Sequence, residues 1–200
     1  MLNGIAIDAQ GYFWVTDGLD SELLRLDLAG ETILERYGPE RGIDGPDDLV
    51  LDDNYVYYTS NWTLAGAVGR LDRRTGEAGV LAATGLGTNP IVWSPAGKLL
   101  AGIALGGSGP IGSALRLTGL FEVDPMGQRP AKRVLADSNG INAFCFAPDG
   151  FIYGPALSRL VRVHLESGAI ETLRDGFGFL GAVRYNPRDQ ALSCSAYRGL

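Results

Sequence analysis

Apolar and polar positions alternate over short runs along the whole chain, and nowhere does a helical period of 3.6 persist. The first unit reads "GIAID", a turn at "AQG", "YFWVTD", a loop, "LLRLD", a turn at "LAGE" and "TILERYG", which predicts four short strands closed by Gly-containing turns. Its third strand returns as "LLRLDLAGE", "VGRLDRRTGE", "LFEVDPMGQ" and "LVRVHLESG". The single histidine, His164, fills the turn slot held elsewhere by Asp27, Asp72 and Asp124, so a turn role is expected for it.

A polar residue opens the first strand of each unit: "NGIAIDAQGYFWVTD" from Asn3, "DDLVLDDNYVYYTSN" from Asp47, "NPIVWSPAGKLLAGI" from Asn89 and "NAFCFAPDGFIYGP" from Asn142. A weaker fifth unit starts at Gly181, and the spacings are 44, 42, 53 and 39. That period suits a four-stranded propeller blade. The expected fold is all-β, a single β-propeller domain over 1–200 built of four-stranded antiparallel blades, with complete blades at 3–38, 47–85, 89–137 and 142–175. The residues from 181 onward supply about two strands more, so the ring does not close, which predicts an exposed edge and strand-mediated self-association.

First strands are innermost in a propeller, so Asn3, Asp47, Asn89 and Asn142 should converge on a central channel, with the "AQG", "PAG" and "PDG" turns on the opposite face. Loops 17–22, 60–66, 105–119 and 155–159 should rim that channel, the longest serving as a lid or specificity loop. One Asp and several Asn oxygens suit a hard cation such as Ca²⁺, which takes ~6–8 oxygen ligands. The same residue types also cap strand starts by bonding nearby backbone, and residue type alone does not separate the two roles.

Composition narrows the chemistry. With 200 residues and 46% apolar content the chain can bury a sizeable core, and a net charge of −6 without a basic cluster argues against nucleic acid. Cys145 and Cys194 are far apart in apolar strands and read as buried free thiols, not as a redox pair. Residues 99–115 lack charge but hold too many glycines and too few apolar residues to span a membrane. The first repeat follows Met1 almost at once, with no room for an export signal, so a cytoplasmic location is expected. Residues 107–112, within "GGSGPIG", spell GxGxxG, but Pro110 interrupts it and no helix pattern follows. No GxSxG is present, and the single histidine leaves neither a Ser or Cys triad nor a Cys/His zinc site.

"GPDDLVLDDNYVYYTSNWTLAGAVGRLDRRTGE", "GTNPIVWSPAGKLLAGI" and "INAFCFAPDGFIYGPALSRLVRVHLESG" resemble the senescence-marker protein/gluconolactonase (regucalcin-like) propellers over most of the chain, and least over 1–37. The resemblance implies six blades and a divalent metal held in the channel by a Glu, Asn residues and an Asp at first-strand starts. Asn89 and Asn142 match the family's Asn motif and Asp47 its Asp motif. It further implies hydrolysis of a small lactone or sugar acid derivative, with Asp47 positioning or deprotonating the nucleophile. A non-catalytic propeller that binds a small ligand or a protein is the alternative. No Glu-Gly-Pro motif for the metal-binding Glu opens the chain, and only four full units and the partial "AVRYNPRDQALSCSAY" are present.

Overall fold

A computed structural model describes residues 2–61, 66–85, 87–103, 119–135 and 141–197. The strands are β1 (Leu2–Ile7), β2 (Phe13–Asp17), β3 (Glu22–Leu26), β4 (Ile33–Tyr37), β5 (Pro46–Leu51), β6 (Tyr55–Ser60), β7 (Ala67–Asp72), β8 (Ala78–Ala83), β9 (Thr88–Trp93), β10 (Leu99–Ile103), β11 (Gly119–Val123), β12 (Lys132–Leu135), β13 (Cys145–Phe146), β14 (Ile152–Ala156), β15 (Arg159–Val163), β16 (Ile170–Arg174), β17 (Phe179–Asn186) and β18 (Ala191–Tyr197). They form four four-stranded antiparallel meanders in chain order and one two-stranded sheet, β17–β18. A single 3₁₀ turn, Pro39–Arg41, is the one helical element among the described residues. No helix among them is long and apolar enough to cross a membrane.

The cores lie between blades. Trp14, Leu23 and Tyr37 of the first blade pack on Leu49, Val56, Tyr58 and Leu71 of the second. Tyr57, Val68 and Ala82 on the second blade's other face meet Ile91, Leu99, Ala101 and Val123 of the third. Leu120 and Leu135 meet Phe144, Ile152 and Val161 of the fourth. The last seam holds only Cys145, Tyr153 and Val183 as its buried members. Alternation along each strand therefore feeds two seams, one per face, and each blade depends on its neighbours for burial.

Turn chemistry repeats as well. Asp8 accepts the backbone N–H of Gln10 and Tyr12 and the indole N–H of Trp14, while Asp52 accepts the N–H of Asn54 and Tyr55 and the Tyr57 hydroxyl, and Asp149 the N–H of Phe151 and the Tyr153 hydroxyl. His164 takes the turn role expected of it: its Nδ1 accepts the Ser167 N–H at 3.2 Å, where Asp72 accepts those of Arg74 and Thr75. Cys145 is buried and free, but Cys194 is free and exposed, which corrects the expectation that both thiols are buried. The reason is that β18 is the outer strand of a two-stranded sheet with little packed over it. On the other side Ile5 and Ile7 of β1 are also largely exposed, at 62% and 60%. The expected lid at 105–119, save Gly119, and the GxGxxG spelling at 107–112 lie outside the described residues, as does 62–65 of the second rim loop.

Candidate functional site: the central channel

A β-bulge marks the start of the first strand in most units. The pairing register slips between Leu2 and Ile5, between Pro46 and Leu49, between Thr88 and Ile91 and between Leu180 and Ala182. Asn3, Asp47, Asn89 and Gly181 fall inside these slips, and a bulge re-aims the side chain it carries. The consequence is convergence: Asn3, Asp47, Asn89 and Asn142 line one cavity of about 230 Å³, together with Asp48, Gly181 and Arg184. Asn142 arrives differently. It lies ahead of the two-residue strand β13, and its Oδ1 accepts the Ala143 N–H at 2.9 Å, so the capping role also exists here.

Two threonines hold the first strands together from behind. The Thr16 hydroxyl accepts the Gly4 N–H at 2.7 Å and donates to the Asp47 carbonyl of the next blade. Thr59 repeats this one blade on, accepting the Asp48 N–H at 3.1 Å and donating to the Asn89 carbonyl at 2.6 Å. Both side chains are fully buried, and each satisfies backbone groups that a bulge leaves unpaired.

The two neighbouring carboxylates differ. Asp47 is fully buried, its Oδ1 accepting the Asn3 amide and its Oδ2 the Asn61 amide at 3.2 Å. Asp48 accepts the Leu49 N–H at 3.0 Å and the Ile91 N–H at 3.2 Å and keeps partial access to the channel. Burial pushes the Asp48 carboxyl up to about 6, and the charge of Asp47 adds to this; the two N–H bonds and the Arg184 guanidinium pull the other way. Asp48 escaped the sequence reading because it reads as a second acidic residue of the same strand. Arg184 escaped it because the fifth unit was aligned on Gly181; the signal for it is a lone cation in the apolar strand "GAVRY".

Among the described residues no three His, Cys, Asp or Glu side chains come together to hold a metal. The channel instead offers two carboxylates and amide oxygens, an oxygen-only set whose chemistry fits a hard divalent cation.

No protein-family model and no curated protein matches the sequence. Solved structures do match. A gluconolactonase from Xanthomonas campestris superposes with a TM-score of 0.72 at 15% identity, covering 98% of this chain and 69% of that one. Regucalcin from Agrobacterium tumefaciens, a calcium-binding protein, gives 0.60 at 22% identity, covering 88% and 59%. A chain of a nidogen–laminin complex gives 0.76 at 17% identity, covering 98% and 72%. At these identities the likeness carries the architecture: the chain has the fold of a partial β-propeller, of the kind found in the gluconolactonases and regucalcin.

Proposed function

We propose that the channel hydrolyses a small lactone with the help of a divalent cation. The observation that carries this reading is the meeting of four separate strand-start residues, with Asp48, in one small cavity. Asp47, Asn89 and Asn142, with Asn3 beside them, would hold the cation, and Ca²⁺ suits their oxygens. When bound, such an ion polarises a carbonyl and acidifies water.

The protein's own share falls to two carboxylates. Asp47 has both oxygens engaged by amides, which suits a fixed anchor more than a proton acceptor. The role of base therefore passes from Asp47 to Asp48, whose carboxyl near 6 is ionised at neutral pH yet basic enough to accept a proton. Asp48 would take a proton from a water whose oxygen attacks the lactone carbonyl; the ring C–O bond then breaks, and the departing alkoxide takes that proton back from Asp48, which leaves a hydroxy acid. The likeness to a chain of a nidogen–laminin complex favours the second reading, a propeller that binds without turnover.

Calorimetric titration with Ca²⁺ and Mn²⁺, followed by δ-gluconolactone hydrolysis with and without chelator, separates the two. The proposal expects metal-dependent hydrolysis, a loss of at least ~100-fold in Asp48→Asn and metal affinity weakened ~10-fold or more in Asn142→Ala. Metal binding without hydrolysis would leave the binding reading, and unchanged affinity in Asn142→Ala would remove the metal site.

A further inference from the structure

The first blade buries one face against the second blade and leaves the other without a neighbour among the described residues. Across that free face the register of β1, β2 and β3 sets two apolar rows, Ile5 opposite Val15 opposite Leu24, and Ile7 opposite Phe13 opposite Leu26. None of these side chains belongs to a core cluster shared with another blade, whereas the alternate residues Ala6, Trp14 and Leu23 pack on the second blade. Val15 and Leu24 are buried, but Ile5 and Ile7 on the innermost strand are more than half exposed. Both faces of the second, third and fourth blades, by contrast, are packed on a neighbour. A sheet face with this much apolar surface is one that proteins ordinarily cover.

The other free face of the chain does not fit it. By register Ala182, Ser193 and Ser195 stand on the side of the β17–β18 sheet away from Val183, which packs on the fourth blade. Pressed on an apolar ladder, those hydroxyls would lose water and find no partner. The first blade's free face does match itself. Its centre is aliphatic and aromatic, and one end carries both signs of charge in the ion pair of Arg36 with Glu22 at 2.5 Å, so a second copy does not meet a rim of one sign. Four strands at ~4.8 Å spacing and ~3.3 Å per residue give a footprint of about 300 Å² per copy. With side chains standing out from it, such a footprint falls at the low end of specific interfaces, which suits a reversible dimer with a dissociation constant of ~10–100 μM.

We infer that the free face of the first blade docks on the same face of a second copy of this chain, about a two-fold axis. The contact runs face to face, and no strand edge takes part in it. The test is sedimentation velocity at ~5 μM and ~200 μM on wild type, on the double variant Ile5→Asp/Ile7→Asp and on Ser193→Asp. Wild type should pass from the 21.2 kDa monomer to a species of twice that mass. The double variant should dimerise at least ~30-fold more weakly, because it sets unpaired carboxylates in an apolar contact. Both positions are exposed in the single chain, so its folding is preserved. Ile7→Thr, which keeps the β-branched shape that strands prefer, should weaken the dimer ~3-fold and decides the matter if the double variant does not fold. Ser193→Asp, on the last sheet, should leave the dimer unchanged. A wild-type monomer at ~200 μM, or undiminished dimerisation in folded variants of Ile5 and Ile7, overturns the inference. So does a dimer lost in Ser193→Asp, which would put the last sheet in the contact, or an assembly that keeps growing with concentration, as head-to-tail packing would.

Discussion

The seams on either side of the third blade are built on different principles. Between blades one and two, and two and three, a buried threonine hydroxyl ties one first strand to the next. Between blades three and four the matching position is Gly102, where a side chain would meet Pro90 and Leu120 of its own blade first, with the Phe144 ring of the fourth blade 3.4 Å away. The strands tied by Thr16 and Thr59, β5 and β9, are six residues long; the untied β13 has two, with Ala143 at a φ of 26° and Asn142 outside the strand. A polar tie keeps a channel residue in register with its strand. An apolar contact gives burial without such a tie, and there the Asn142 N–H is held within its own blade, by the Pro155 carbonyl at 3.2 Å, while its Oδ1 caps Ala143.

The hardest trial of this contrast is to place the tie where it is missing. Gly102→Thr should destabilise the protein by about 3 kcal/mol, since a Cβ there would meet Pro90 Cγ at 2.8 Å and Leu120 Cδ2 at 3.1 Å before any hydroxyl could reach the fourth blade. Urea unfolding measures it. A variant as stable as wild type would show that the seam tolerates a polar tie and that crowding by Pro90 and Leu120 is not what excludes it.

Much of this was legible in the sequence because repetition fixes register. The spacing of Asn3, Asp47 and Asn89 placed three residues in equivalent bulges, and the fold followed from turns and alternation. What stayed hidden depends on contacts across seams. Thr16 and Thr59 look like ordinary strand residues until the next blade's carbonyl is seen to lie against each, and Gly102 looks like a turn residue until Pro90 and Leu120 are seen crowding it. Asp48 and Arg184 belong to the same class, since a raised carboxyl and a guanidinium bonded to the fourth blade's carbonyls are properties of the channel, not of their own strands.

Asp48 gives the next largest effect and lies on a tied strand. Its carboxyl is raised to about 6, against ~3.9 in an unfolded chain, so between those values the native state holds a proton that the unfolded chain has released. Stability from this group is therefore full at low pH and is lost as pH rises from about 4 to about 6, amounting to about 2 kcal/mol after allowance for its partial access to the channel. Wild type minus Asp48→Asn in urea midpoints isolates that slope from other carboxylates, among them Asp8, which is held below its ordinary value and acts in the opposite sense. A flat difference between pH 4 and 6 would mean that the tie does not keep Asp48 in its desolvated position.

The smallest expected effect separates the two ties from one another. Thr16→Val keeps shape and removes the hydroxyl, leaving the Gly4 N–H and the Asp47 carbonyl short of a partner; Thr59→Val does the same to the Asp48 N–H and the Asn89 carbonyl. Each should cost about 1.5 kcal/mol, the penalty of buried backbone groups left unsatisfied, with no cavity term. The ties act locally, because each hydroxyl spans one seam only. Amide exchange should therefore accelerate at Gly4 in Thr16→Val alone and at Asp48 in Thr59→Val alone. Acceleration at both amides in either variant would mean that the first strands open as one unit, and the contrast between tied and untied seams would then describe packing but not stability. If exchange stays local, the channel is assembled seam by seam, and Asn142, whose N–H bonds the Pro155 carbonyl of its own blade, is placed independently of the two ties.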